Sequence, residues 1–509
     1  MDAFSSDKRS RNIVDYGVAI FVATLSTVIP YGLGSLWLWK YFGVTREQFI
    51  PADHDCICFW HEVINMIKSP LRGGYYGWQE LHSPIGGFGP RGVWLVSLYA
   101  FGGRLLGWSS NSPNVLNAIF WALGVFFYIL LVRPGRSYLL ALVAFCTFFG
   151  PLQYGLMRFY PDILNIALSM TIAGLIYRIL HDPKDDFYSW SLLFISVVAV
   201  LIRKSWISIF PLLMVVYYLK HKVIWSYYYA AVFISAVASL VGLYYFSAPY
   251  PFGGTFQSVS LSRLTYSTFL QIIDLYKYSL TFIFRIYREV FYYNVFGLHM
   301  LLVSLLAAAI AYWKRNHLET AIFLYVPFSM LFYAFGHMFN GVISFRHIAP
   351  FFVVAVFSSL IFTHKKIFVL VLLLNMIMYP AFLQTIRELA SEEYSSGAEK
   401  NSLEEFGHAL ITRIVPTGSG FQWCNTIDID EYSQALLYFP PGSSFNFVRT
   451  NELKANKILM AHYFFVKSID SFLPFVGSTP NLILKTKYGD LYENTSSLCQ
   501  NKAASNDPD

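Results

Sequence analysis

The stretch IVDYGVAIFVATLSTVIPYGLGSLWLW, residues 13–39, decides the fold. It exceeds the roughly 20 apolar residues that a helix needs to cross a bilayer. It follows Lys8, Arg9 and Arg11, and no small-residue cleavage site comes after it, so it reads as a helix that stays in the membrane. Beyond it lies Pro51-Ala-Asp-His-Asp-Cys56, which sets Asp53, His54 and Asp55 just past the point where that helix ends. Ionisable groups at a membrane boundary cost desolvation and are rarely idle.

The same reading extends along the chain. Hydrophobic residues make up 56% of the 509, charged residues 13%, and mean hydropathy is +0.47. Soluble domains carry about a quarter charged residues, so a chain of several soluble domains is excluded. Apolar runs recur at residues 13–39, 115–132, 138–156, 163–180, 190–202, 205–219, 224–245, 291–312, 321–335, 348–362 and 368–383. They predict an all-α polytopic membrane protein with about eleven transmembrane helices. The net charge of +7 comes from short basic runs between spans and forms no extended basic face, so nucleic acid is not an expected partner.

Basic residues before the first span place the N-terminus in the cytoplasm by the positive-inside rule. Residues 41–111 then form a long external loop, with interfacial helices expected at 57–67 and 93–106. Every later basic cluster falls inside except Arg203-Lys204. From about residue 385 the composition turns polar, and alternating patches at 435–439 and 481–485 predict a small external α/β domain. The division expected is thus a membrane module at 1–384 and an external domain at 385–509. Cys424 and Cys499 can pair if this tail faces an oxidising compartment, or remain two free thiols. No internal repeat is visible, which disfavours a transporter built of inverted halves.

With this topology the external face collects Asp53, Asp55 and His82 from the first loop, and Arg158 and Asp162 from the second. Arg203-Lys204 at a helix junction and Arg346-His347 at the start of a late span join them. Carboxylates facing Arg and Lys suit a reaction that deprotonates one partner and expels a phosphate. Arg offers phosphate a planar fork, and Lys a point charge. Taken singly, each feature has a plainer explanation. Two loop acids are commonly solvated, Arg158 and Asp162 can form an ordinary ion pair, and Arg203-Lys204 can snorkel to headgroups. His54, His61 and His82 lack metal-ligand spacing, although a divalent ion bound there stays open. The weight lies in the joint placement.

The residues resemble the GT-C superfamily of integral-membrane glycosyltransferases, which use sugars carried on polyprenyl phosphates. A catalytic Asp just after the first span matches Asp53 or Asp55, and His82-Ser-Pro84 is similar to the family's His-Pro-Pro turn. Arg158-Phe-Tyr-Pro-Asp162 resembles its short second external loop. Ile202-Arg-Lys-Ser-Trp206 resembles the stretch whose Lys meets the lipid phosphate, and Ser344-Phe-Arg-His-Ile-Ala-Pro350 the Arg-Tyr-x-x-Pro start of a late span. In size and layout the chain is similar to phage-type serotype-converting O-antigen glucosyltransferases.

The resemblance implies an inverting transfer of a sugar, such as glucose, from a polyprenyl-phosphate carrier to an acceptor glycan such as O-antigen. This would take place on the periplasmic face of a bacterial inner membrane, without an organic cofactor. Lys204, Arg203, Arg346 and Arg158 would hold the donor phosphate. Asp53 or Asp55 would take the acceptor's proton, with His82, Asp162 and His347 orienting the acceptor. The rival readings are an O-antigen polymerase or ligase, and a transporter of lipid-linked sugars.

Overall fold

The computed structural model describes residues 10–46, 54–68, 76–78, 93–109, 111–157, 162–182, 186–246, 291–336, 345–390, 397–411, 426–430, 434–439, 443–448, 450, 459 and 461–495. The chain begins with α1 (Ser10–Phe42), α2 (His54–Lys68), β1 (Tyr76–Trp78) and α3 (Val93–Leu106). Next come α4 (Ser112–Val132), α5 (Arg136–Phe148), α6 (Gly150–Met157), α7 (Asp162–His181) and α8 (Phe187–Ile202). A 3-10 turn, Lys204–Ser208, leads into α9 (Ile209–His221) and α10 (Tyr227–Phe246). Then follow α11 (Phe291–Trp313), α12 (His317–Gly336), α13 (Phe345–Ala355) and α14 (Lys365–Ala390). The last elements are α15 (Gly397–Ile411), β2 (Thr426–Ile429), β3 (Ser444–Phe447), β4 (Tyr463–Val466), β5 (Asn481–Thr486) and β6 (Gly489–Glu493).

The eleven apolar runs are mainly helical in the described residues, but fewer of them than the expected eleven are long enough there to span. Among the described residues, five helices are long and apolar enough to cross a bilayer: Tyr16–Phe42, Ser112–Val132, Asp162–His181, Arg346–Thr363 and Lys365–Gln384. A sixth span is counted if α5 and α6, bent by 60°, are taken together. Shorter apolar helices occupy Val93–Leu106, Phe187–Ile202, Tyr227–Leu243 and Gly297–Trp313. The chain is an integral membrane protein. The bend falls where Phe149 turns to extended backbone and Gly150-Pro151 restarts the helix. Pro is tolerated in a first helical turn, where its missing N–H has no partner to lose, so this one run became two helices.

The contacts divide the chain into two compact units. The first holds α1 as far as Trp37 and the helices from α4 to α14. Its packing relies on small residues: a Cβ on Gly124 of α4 would lie 2.5 Å from the Ala167 carbonyl oxygen of α7. Close backbone approach of this kind drives helix association where lipid removes the hydrophobic drive. A π-turn at Val356–Leu360 interrupts the span that begins with α13, and the Tyr128 hydroxyl donates to the Phe357 carbonyl there at 3.0 Å.

Charges in this unit sort to two ends. At one end Asp186 pairs with His221 at 3.2 Å and Lys220 at 3.9 Å, Glu319 with His364 at 3.3 Å, and Lys365 lies over the Tyr138 ring. These clusters share an end of the helices, where the Tyr177 ring of α7 also meets His181 and Phe362. Arg133, Lys222 and Arg315 close α4, α9 and α11 there with left-handed backbone (φ 51°, 58° and 58°). That conformation costs a non-glycine residue about 1–2 kcal/mol. A cation there is favoured by the carbonyl end of the helix dipole. Exposed Trp225, Tyr227 and Trp313 flank the same helix ends, as aromatic residues do at a membrane–water interface.

The second unit holds α2, β1, α3 and the elements from α15 onward. Its sheet has the order β1-β3-β2-β4-β6-β5, with β1, β3, β2 and β4 parallel and the last two strands antiparallel. Tyr463-Phe-Phe-Val466 is buried throughout, as a central strand covered on both faces must be. Leu403, Phe406 and Leu410 form one stripe of α15 and pack with Ile427, Ile429, Phe445 and Phe465. Val448, Leu459, Phe464, Val466 and Phe472 make a second, smaller core.

Two expectations change here. Residues 435–439 form part of a 3-10 turn, Gln434–Tyr438, and not a strand. Ala435, Leu436 and Leu437 are all buried, and a strand of alternating faces would not bury three consecutive residues without cover on both sides. Loop 41–111, assigned to the membrane module by its position, supplies β1 to the sheet of the tail. The 1–384 and 385–509 division therefore separates segments that pack together.

Buried ionisable groups give this unit a distinctive pH response. Burial pushes the Asp428 carboxyl up to about 7, against the pull of the Asn446 amide that donates to it at 2.8 Å. Burial pushes His61 down to about 4, partly offset by its contact with the Ser443 carbonyl. The Asp428 contribution to stability is full at low pH and is lost as pH rises through about 7. That of His61 is full above the ordinary histidine value and is lost as pH falls toward about 4. The two slopes oppose each other over the overlapping window. Asp428→Asn keeps an acceptor for Asn446 and is expected to raise stability at pH 8 by on the order of 2 kcal/mol. Near pH 4 the gain should vanish, and acid should now destabilise the variant monotonically below pH 6.5. Thermal unfolding of wild type and variant across this range measures it.

Candidate functional site

Asp162 opens α7, where an acidic side chain suits the positive end of the helix dipole. Its Oδ1 accepts from Arg203 Nη1, and its Oδ2 faces Arg346 Nε at 3.9 Å. Arg203 can reach it because the backbone there is extended (φ −151°, ψ 121°), which breaks the path from α8 into the following 3-10 turn. Lys204 follows directly and is close enough to feel the Arg203 charge. His347, next to Arg346, stacks on Tyr333 with ring centroids 4.5 Å apart. Three separate elements of the first unit thus bring Asp162, Arg203-Lys204 and Arg346-His347 to one end of the helices, opposite the Asp186 and Glu319 pairs.

The remaining expected residues have different fates. Asp55 stands in the first turn of α2, so it belongs to a helix and not to a loop. Asp53, His82 and Arg158 lie outside the described residues, as do Cys424 and Cys499. Asp162, expected on the acceptor side, has its two oxygens facing guanidinium groups. His61 is buried, its Nε2 2.8 Å from the Ser443 carbonyl oxygen and its ring against Phe445. Among the described residues no group of three or more His, Cys, Asp and Glu side chains could hold a metal ion.

Two residues of this end escaped the sequence reading. Trp206 is wholly buried and its indole N–H donates to Asn165 Oδ1 at 3.1 Å. A lone amide one helical turn after Asp162, in an otherwise apolar helix, was the available signal. Removing the charge at the centre is expected to be costly. Asp162→Asn removes the charge that two guanidinium groups share, a loss of about 1.5–3 kcal/mol for a charged hydrogen bond in a largely buried setting. A lowered unfolding temperature of the detergent-solubilised variant checks it.

The helices and this cluster define an integral membrane protein with a carboxylate-braced set of basic side chains at one end. No protein-family model matches the chain, and no curated protein does. Among solved structures, it is similar to an oligosaccharyltransferase from Archaeoglobus fulgidus, crystallised with zinc and sulfate. Identity is 13%, coverage 94% of this chain and 73% of that one, and TM-score 0.47. It is similar also to the archaeal oligosaccharyltransferase AglB from the same organism, in complex with an inhibitory peptide and a dolichol-phosphate. There the identity is 12%, coverage 96% and 75%, and TM-score 0.44. A third similar structure is ArnT from Cupriavidus metallidurans bound to undecaprenyl phosphate, with 11% identity, coverage of 97% and 99%, and TM-score 0.42. Likeness at this level leaves the function to the residues themselves.

Proposed function

We propose that this chain is a GT-C-type membrane glycosyltransferase, moving a hexose from a polyprenyl-phosphate carrier to a glycan acceptor such as O-antigen, on the external face. The observation that carries the reading is the convergence of Arg203 and Arg346 on Asp162, with Lys204 next to Arg203 in the chain, at one end of a membrane-spanning helical unit. Lipid-linked donors present a phosphate at just such a boundary while their chains stay among apolar helices.

In this reading Arg203 and Arg346 offer guanidinium forks and Lys204 a point charge to the phosphate, with Asp162 holding the two forks in orientation. Arg158 belongs to the same group by its position in the sequence. As the bond from the anomeric carbon to the phosphate oxygen breaks, negative charge grows on that oxygen, and these cations stabilise it. Asp53 or Asp55 takes the proton of the attacking hydroxyl, a role carried here by the resemblance, and attack opposite the phosphate inverts the configuration. His82 and His347 are the acceptor-side candidates.

The phosphate part of this reading is tested by binding. Full-length protein in lipid nanodiscs is expected to bind a polyprenyl monophosphate saturably, and the uncharged polyprenol should compete poorly. Equal competition by the polyprenol would show that only the apolar chain is recognised.

A further inference from the structure

We propose that Trp206 is a positioning residue for the phosphate site, holding in one register the three elements that carry its charges. The inference rests on the anion-site reading above. The 3-10 turn Lys204–Ser208 starts at the two basic residues, and Trp206 is its third member. Its backbone N–H donates to the Arg203 carbonyl at 3.1 Å, closing the turn on the very residue that reaches Asp162. The indole N–H donates to Asn165 on α7, three positions from Asp162 and thus on the same side of that helix. The ring packs edge-on against Phe351, whose centroid is 5.1 Å away on the helix that starts with Arg346.

One side chain therefore touches α7, its own turn and α13, which are the elements supplying Asp162, Arg203-Lys204 and Arg346. A fourth tie holds the turn from behind, where the Ser208 hydroxyl lies 3.0 Å from Ser329 Oγ and 3.4 Å from Tyr325 OH on α12. A buried tryptophan is ordinarily packing alone. What separates this one is direction: its hydrogen bond and its ring contact run to the helices that carry Asp162 and Arg346, which meet each other and, through Asp162, Arg203. A polar bond buried among apolar helices also fixes a register that shape alone would leave to slide.

The test separates register from stability. Full-length wild type, Trp206→Phe, Asn165→Leu, the double variant and Tyr128→Phe are compared in nanodiscs by unfolding temperature and by affinity for a polyprenyl monophosphate. Lys204→Ala serves as the charge control. Trp206→Phe keeps an aromatic ring against Phe351 but removes the N–H, and Asn165→Leu removes the acceptor from the other side.

Each single variant is expected to lose stability and about tenfold in affinity, the scale of one buried hydrogen bond. The double variant leaves no orphaned polar group, so it should regain stability while its affinity stays low. Tyr128→Phe breaks a buried bond away from the site and should lose stability at unchanged affinity. Affinity that returns with stability in the double variant would overturn the positioning role. So would wild-type affinity in Trp206→Phe, or in Asn165→Leu should the former not fold. An affinity loss in Tyr128→Phe matching its stability loss would overturn it as well. Absence of saturable binding to wild type, or wild-type affinity in Lys204→Ala, would overturn the anion site itself and this inference with it.

Discussion

Asp53→Asn or Asp55→Asn is expected to abolish transfer, and only one of the two should do so with donor binding intact. A general base must accept a proton, which an amide cannot do, while Asn preserves the shape and part of the hydrogen bonding. Loss of such a base lowers rate by roughly a hundred- to ten-thousand-fold. The other acid should act through the acceptor or a bound cation, so its loss should raise the acceptor KM or introduce a metal requirement. Asp53 lies nearer the end of the first span and is the favoured base. Asp55 stands further along, in the first turn of α2. Steady-state kinetics of both variants with donor and acceptor varied separately decide between them. Near wild-type turnover in both would reduce the cluster to solvated acids.

Lys204→Ala is expected to cost about 2–4 kcal/mol of transition-state stabilisation, if the contact strengthens as phosphate charge develops. The protein should still insert and fold, because the contacts of Trp206 and Ser208 hold the 3-10 turn. Donor turnover is the measurement. A change smaller than about threefold would fit a lysine that merely snorkels to headgroups.

The sequence made some of this legible and left the rest dark for physical reasons. Hydropathy alone marked every helix of the first unit that coincides with an apolar run, since lipid forces the backbone to satisfy itself within each segment. The same periodicity does not distinguish one straight span from two pieces. The break at Phe149 was visible only as Gly150-Pro151, a signal that a continuous apolar run obscures. Exceptional placement of Arg203-Lys204 on the less favoured side pointed to a site, and Arg203 shares the Asp162 carboxylate with Arg346. Trp206 and Asn165 went unnoticed because an indole and a lone amide in apolar surroundings read as core. The sheet was the least legible part. β1 is a three-residue strand within a Gly-rich loop, and its partner β3 lies more than three hundred residues further on. Such pairings are set by tertiary contacts and leave no local pattern.

The central claim is transfer of sugar from a polyprenyl-phosphate donor, and it is tested by following a polyprenyl-phosphate hexose labelled in its sugar. Purified protein in sealed vesicles, supplied with acceptor glycan, should convert the labelled lipid into free polyprenyl phosphate and labelled acceptor in equal amounts. Lys204→Ala should do so far more slowly. Labelled lipid that crosses the bilayer with its sugar still attached, or that is left unchanged by the wild-type protein across a panel of hexoses, would contradict the account.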